Sequence, residues 1–230
     1  MTTPPLFPID LGRVGVKICG ITTGAQAETI IELGADALGI NFWPRSKRYI
    51  ALEEAASWLR DLDQTITRVA VTVNAGDDEL AAIHESGVID LIQLHGDESP
   101  ERVRSLTDQG LPVFKAMGVK DRAMLETALE YDSSTLLLDA YAPTEYGGSG
   151  EMMDWTLGAE AVSQYPERQI VLAGGLVPEN VADAIQQVTP AGVDAASGVE
   201  ESPGVKDLEL VQALVRAQTR LLMLIPVQQG

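Results

Sequence analysis

A chain of 230 residues, 45% of them hydrophobic and 22% charged, is long enough for one sizeable core and needs no second domain. Its formal net charge of −18, with no block of lysine or arginine, argues against nucleic-acid binding, because a phosphate backbone needs clustered cations. No apolar run reaches the length of a membrane span, and the opening residues lack the basic and apolar regions of a secretory signal; the expectation is a cytoplasmic protein with no membrane partner.

Residues 1–13 carry Pro4, Pro5 and Pro8 and read as an extended tail. Short β-branched or apolar runs then recur at 14–18, 37–41, 68–73, 91–94, 113–116, 135–138, 170–173 and 192–195. Amphipathic segments separate them, and several open on helix-start signals. Thr23 precedes one, Asp77-Asp-Glu79 another, Ser99-Pro-Glu101 a third, and Pro178-Glu-Asn180 a fourth. Eight such units at this spacing predict a single-domain α/β (β/α)8 TIM barrel over 14–222, with 223–230 as a C-terminal extension. An open doubly wound sheet is the alternative, but no Gly-x-Gly-x-x-Gly follows the first strand.

In such a barrel, chemistry belongs at the carboxyl ends of the strands. Strand one ends at Cys19, the only cysteine, so an intramolecular disulfide is ruled out. A buried filler and a nucleophile or base are its two readings. After strand two, Arg45, Lys47 and Arg48 form a local cation cluster in an acidic chain, and Arg48 is favoured as an anion clamp for its planar guanidinium. Strand four offers Gln93 and His95, the histidine read as support for its neighbours. Strand six leads to Asp139, whose apolar neighbours Leu136, Leu137 and Leu138 raise its pKa and suit it to a general acid. A long segment at 141–153 reads as a lid. Gly174 and Gly175 after strand seven, and Ser197 and Gly198 after strand eight, form two turns suited to a phosphate. Asp194 completes the set. One cysteine and two separated histidines make no metal-ligand cluster, and neither Gly-x-Ser-x-Gly nor a P-loop is present.

Taken together, Lys17-Ile-Cys-Gly-Ile-Thr22, Ser46-Lys-Arg-Tyr-Ile50, Gln93-Leu-His-Gly96, Leu137-Leu-Asp139, Gly147-Gly-Ser-Gly150, Gly174-Gly-Leu176 and Ser197-Gly-Val-Glu200 resemble the phosphoribosylanthranilate isomerase family of tryptophan biosynthesis. The resemblance implies an Amadori rearrangement of N-(5-phosphoribosyl)anthranilate to 1-(2-carboxyphenylamino)-1-deoxyribulose 5-phosphate, without a cofactor. It implies Asp139 as general acid and Cys19 as general base. By the same resemblance Arg48 would hold the anthranilate carboxylate and the two glycine turns the 5-phosphate, while Asp194 would orient the substrate or Arg48. The partner is then a small phosphosugar, bound by a monomer or a homodimer. Ala173 and Ala196 stand where the pattern has serines, Ser149 replaces a threonine, and Asn41 takes an apolar place. A histidine-pathway isomerase, with aspartate as base on strand one, is disfavoured by Cys19; a barrel that only binds would need neither Cys19 nor Asp139.

Overall fold

The computed structural model describes residues 3–9, 11–141 and 152–220. Eight parallel strands close into a barrel in chain order: β1 Gly15–Cys19, β2 Ala37–Asn41, β3 Thr67–Thr72, β4 Leu91–Leu94, β5 Val113–Val119, β6 Thr135–Ala140, β7 Gln169–Leu172 and β8 Gly192–Ala195. The helices around them are α1 Gly24–Glu32, α2 Leu52–Leu59, α3 Asp77–Glu85, α4 Pro100–Asp108, α5 Arg122–Leu129, α6 Trp155–Gln164, α7 Val181–Val188 and α8 Leu208–Arg220. After β8 come a 3-10 turn, Ser197–Val199, and a small antiparallel pair, β9 Glu200–Ser202 with β10 Val205–Lys206. The predicted (β/α)8 barrel is therefore the fold. No helix among the described residues is long and apolar enough to cross a membrane.

The start signals act as expected at two helices: Thr23 accepts the Gln26 N–H and Ser99 accepts the Arg102 N–H, each occupying a donor the first turn leaves unpaired. Asn180 behaves differently. Its amide ties Val177 N–H to the Gly175 carbonyl, so it fixes the turn after β7 and makes no cap bond to α7.

Several strands run further than their apolar runs suggest. β5 extends to Val119 because its register with β6 continues through Met117↔Leu138 and Gly118↔Asp139 to Val119↔Ala140. Asp139 accordingly lies within β6, and Cys19 is the last residue of β1. Ladder pairing holds the backbone of both, which is stiffer support than a loop provides.

Alternation along each strand sorts side chains between two cores. Outward residues such as Val16, Ile18, Leu38 and Leu138 join the helices in the larger core. Inward residues Ala37, Val69, Leu91, Phe114, Leu137 and Val171 fill the barrel, and Leu6 and Phe7 pack with them. The predicted tail is thus partly a stopper. A Cβ on Gly15 or Gly192 would sit 2.4 or 2.0 Å from the Phe7 ring, so two glycines at the foot of β1 and β8 hollow out its socket. Gln169 grips the stopper from both sides, accepting the Phe7 N–H at 3.0 Å and donating to the Phe7 carbonyl at 2.7 Å. A Leu-Phe pair between prolines has no periodicity, which is why sequence pattern alone assigns it to a tail. The anticipated lid falls outside the described residues apart from Tyr141, Met152 and Met153, and so does the extension at 223–230.

Emptying the socket should be expensive. Phe7→Ala is expected to lower unfolding stability by about 3–5 kcal/mol, seen as a lower urea midpoint with an unchanged m-value; a loss below about 1 kcal/mol would show that the stopper does not seal the core.

Candidate active site

The carboxyl ends of the strands enclose a cleft of about 660 Å³, counted with the open solvent at its mouth. All ten residues singled out from the sequence line it: Cys19, Arg48, Gln93, His95, Asp139, Gly174, Gly175, Asp194, Ser197 and Gly198. They arrive from six strands or the turns beyond them. No one stretch of chain could bring them together.

At the floor lies a group that the sequence reading passed over. Lys17, two residues before Cys19 on β1, shares its inward face and is fully buried. Register places it beside Asp194 on β8, and its ammonium donates to Asp194 Oδ1 at 2.9 Å. The same ammonium and the Cys19 sulfur act on each other by charge, each favouring the ionised form of the other. Gly39 on β2 opens the space for this, since a Cβ there would lie 2.7 Å from Cys19 Sγ and 3.0 Å from Lys17 Nζ. Although burial alone would strip Lys17 of its proton, Asp194 and Cys19 outweigh it, and the pKa rises. Burial pushes the Cys19 thiol up as well; Lys17 opposes that shift most, with Lys206 and Arg48 behind it, while Asp194 adds to it. Asp194 had been expected to orient the substrate or Arg48, yet its ion pair is with Lys17.

Arg48 has another holder. Its Nε and Nη2 each donate to the Glu200 carboxylate at 2.8 Å in a bidentate pair. Lys206 Nζ reaches the same carboxylate at 2.7 Å and the Ala196 carbonyl at 3.0 Å. Glu200 on β9 and Lys206 on β10 therefore fix the guanidinium at the edge of the cleft. Asn41, unexpected for its polarity, accepts the Trp43 N–H at 3.0 Å and so shapes the start of the loop that carries Arg48.

Across the cleft, burial moves the Asp139 carboxyl from its ordinary 3.8 up to about 7; the Ala140 N–H bond opposes the rise and Asp194 adds to it. His95 goes the other way. Burial, then Lys115 and Lys17, lower it to about 3, so the imidazole is neutral near pH 7. Its Nε2 stands 3.5 Å from Asp139 Oδ2, which is then a contact with a neutral ring and not an ion pair. With the Gln93 amide nitrogen 3.1 Å from Nδ1, the ring proton is assigned to Nε2, facing Asp139. Gln93 Oε1 is buried in the cleft without a hydrogen-bond partner among the described residues. Lys115 braces the next turn, donating to the Leu94, Gly96 and Ala116 carbonyls and to Glu98.

The far wall is backbone. Gly174 and Gly175 have φ of +84° and +64°, and a Cβ on Gly174 would meet Ala140 N at 2.6 Å and Asp139 Oδ1 at 3.0 Å. At Gly198 a Cβ would lie 2.0 Å from the Leu176 carbonyl oxygen, so the two turns are in contact. Ala173 and Ala196 bring no hydroxyl to this wall, while Ser197 beside them does.

Lys17, Glu200 and Lys206 are the site residues that sequence reasoning missed. Two-residue periodicity would have found Lys17, because it must face the same way as Cys19. Nothing local marks Glu200 as the partner of Arg48, 152 positions away.

A closed barrel whose strand ends gather a thiol, carboxyl groups and two glycine turns around one cleft has the architecture of a (β/α)8-barrel enzyme. Residues 16–217 match the family described as N-(5'phosphoribosyl)anthranilate (PRA) isomerase. The chain belongs to that family, and is an isomerase of that kind in tryptophan biosynthesis. A relative from Trichlorobacter lovleyi, named N-(5'-phosphoribosyl)anthranilate isomerase, is 42% identical over 203 residues, covering 88% of this chain and 97% of its own. The crystal structure of phosphoribosyl anthranilate isomerase from Thermotoga maritima superposes with a TM-score of 0.81 at 38% identity, over 90% of this chain and 99% of that one. Another solved isomerase, in complex with reduced 1-(o-carboxyphenylamino)-1-deoxyribulose 5-phosphate, gives a TM-score of 0.78 at 37% identity, over 90% and 99% of the two chains.

The raised Asp139 carboxyl has a cost that can be measured. Between about pH 4 and 7 the unfolded carboxyl is ionised and the folded one is not, so this group takes stability away as pH rises through that window. Asp139→Asn, which does not titrate, is expected to gain on the wild type by about 2–4 kcal/mol between pH 4 and pH 8 in urea unfolding. A gap that stays constant with pH would mean the carboxyl is not raised.

Proposed function

We propose that the cleft carries out the Amadori rearrangement of N-(5-phosphoribosyl)anthranilate with Asp139 as general acid and Cys19 as general base. The observation that carries this reading is the pairing of a buried Asp139, its carboxyl raised to about 7, with the Cys19 sulfur on strands that flank the same small cleft. Support for the ligand class comes from the related isomerase with a reduced product bound.

In this mechanism Asp139 gives its proton to the ring oxygen as the C1–O bond breaks and the nitrogen lone pair forms C1=N. The Cys19 thiolate then takes the C2 proton; the C2–H pair becomes C1=C2, and the C=N pair returns to nitrogen. A proton added at C1 and one lost from O2 turn the enolamine into the ketone and restore thiolate and acid, so no proton is gained or lost overall. Arg48, fixed by Glu200, receives the anthranilate carboxylate. The phosphate rests on the backbone of Gly174, Gly175 and Gly198 with Ser197 beside it, and Gln93 Oε1 accepts a hydrogen bond from the sugar. His95, neutral and carrying its proton on Nε2, steadies Asp139 once the carboxyl has given its proton up.

The test generates phosphoribosylanthranilate in situ and follows the loss of its fluorescence. Wild type turns it over, and Cys19→Ser and Asp139→Asn each lose at least about two orders of magnitude in kcat. Full activity in Cys19→Ser would remove the thiol from the mechanism, and an inactive wild type would leave a barrel that only binds.

A further inference from the structure

We propose that Lys17 is a positioning residue for this reaction: its ammonium, fixed by Asp194 beneath the cleft, stabilises the negative charge that the working enzyme carries on the Cys19 sulfur. The proposal rests on the acid–base reading above and goes beyond it, since that reading names no group that ionises the thiol.

Geometry comes first. Lys17 is wholly buried between the apolar side chains that fill the barrel and the polar groups of the cleft, where a charge is costly unless something needs it. One neighbour is the Asp194 carboxylate at 2.9 Å, which fixes the ammonium from the β8 side. The other is Cys19 Sγ, on the same side of Gly39: a Cβ there would stand 2.7 Å from the sulfur and 3.0 Å from the ammonium. A structural ion pair would be satisfied by Asp194 alone. Nothing structural requires Gly39 to open the pair toward a thiol.

The charges around the cleft point the same way. Lys17, Arg48 and Lys206 are the cations that act on Cys19, and Asp194 and Glu200 are the carboxylates paired with them. Among the described residues, three cations favour the thiolate and one carboxylate, Asp194, opposes it.

The consequence is quantitative. Turnover needs the sulfur deprotonated while Asp139 keeps its proton, yet burial raises Cys19 above its ordinary value and leaves Asp139 near 7. The productive form is therefore a minority at every pH, and its share falls tenfold for each unit by which the two ionisations move apart. Lys17 is the strongest influence lowering Cys19 but the weakest of those on Asp139, so it narrows the gap.

The only cysteine in the chain makes the test direct, because thiolate ultraviolet absorbance reports Cys19 without substrate. Three full-length variants are compared with wild type: Lys17→Met, Asp194→Asn, and the double variant, which removes both charges and so leaves neither buried alone. Lys17→Met and the double variant are expected to titrate the thiol at least about one pH unit higher. Asp194→Asn moves it lower, because the ammonium stays while the carboxylate that opposes thiolate formation is gone. A residue that served structure alone would not give shifts of opposite sign. In the double variant, kcat/KM for phosphoribosylanthranilate at its optimum falls at least about tenfold, and the alkaline limb of the pH profile moves up with the thiol titration. Should Lys17→Met fail to fold, the double variant decides. A wild-type titration in the double variant, or an upward shift in Asp194→Asn, overturns the proposal. An inactive wild type with the predicted titrations would instead overturn the functional reading and leave the charge coupling standing.

Discussion

A lysine with no access to water lies against a carboxylate inside the barrel, and the site is arranged around that pair. Taking both charges out of water costs several kcal/mol per ion before their attraction is counted, and an apolar pair of similar volume would commonly hold the barrel as well or better. Lys17 and Asp194 also sit where β1 meets β8, the seam that closes the sheet. Their register there sets the height at which Cys19 emerges, two residues above Lys17. Closure of the fold and placement of the sulfur are thus the same geometric fact.

Charge is distributed by location. The chain carries 34 acidic against 16 basic residues, and this excess would repel an anionic ligand if it extended inward. Instead, Lys17, Arg48 and Lys206 gather at one end of the barrel, each held by a carboxylate. Those carboxylates keep the cations in place and temper them. Asp139 has no such ion-pair partner among the described cations, and burial keeps its proton on up to about pH 7.

Much of this could be read from the sequence because a barrel imposes order on a linear text. Chemistry at strand ends follows short apolar runs at regular intervals, so Cys19, Asp139 and the two glycine turns announce themselves by position. Arg48 stands out as a cation in an acidic chain. What escaped reading was set by other rules. Lys17 lies inside a strand, where interest stops if only strand ends are searched, although alternation puts it on the face of Cys19. Glu200 and Lys206 belong to a small antiparallel pair after the last barrel strand, which a (β/α) repeat does not anticipate. The partnership of Asp194 depends on register between the first and last strands, separated by almost the whole chain.

The stopper at Phe7 bears on how the molecule is made. A ribosome delivers Leu6 and Phe7 before any part of the barrel, yet Gln169, which grips Phe7, comes 162 positions later, and Gly192 in its socket later still. For most of synthesis this apolar pair has nothing complete to enter, and exposed apolar segments of that kind are what chaperones shield. The last barrel strand to be made finishes the socket for side chains made before the first one, so the floor cannot be sealed until the sheet has come full circle.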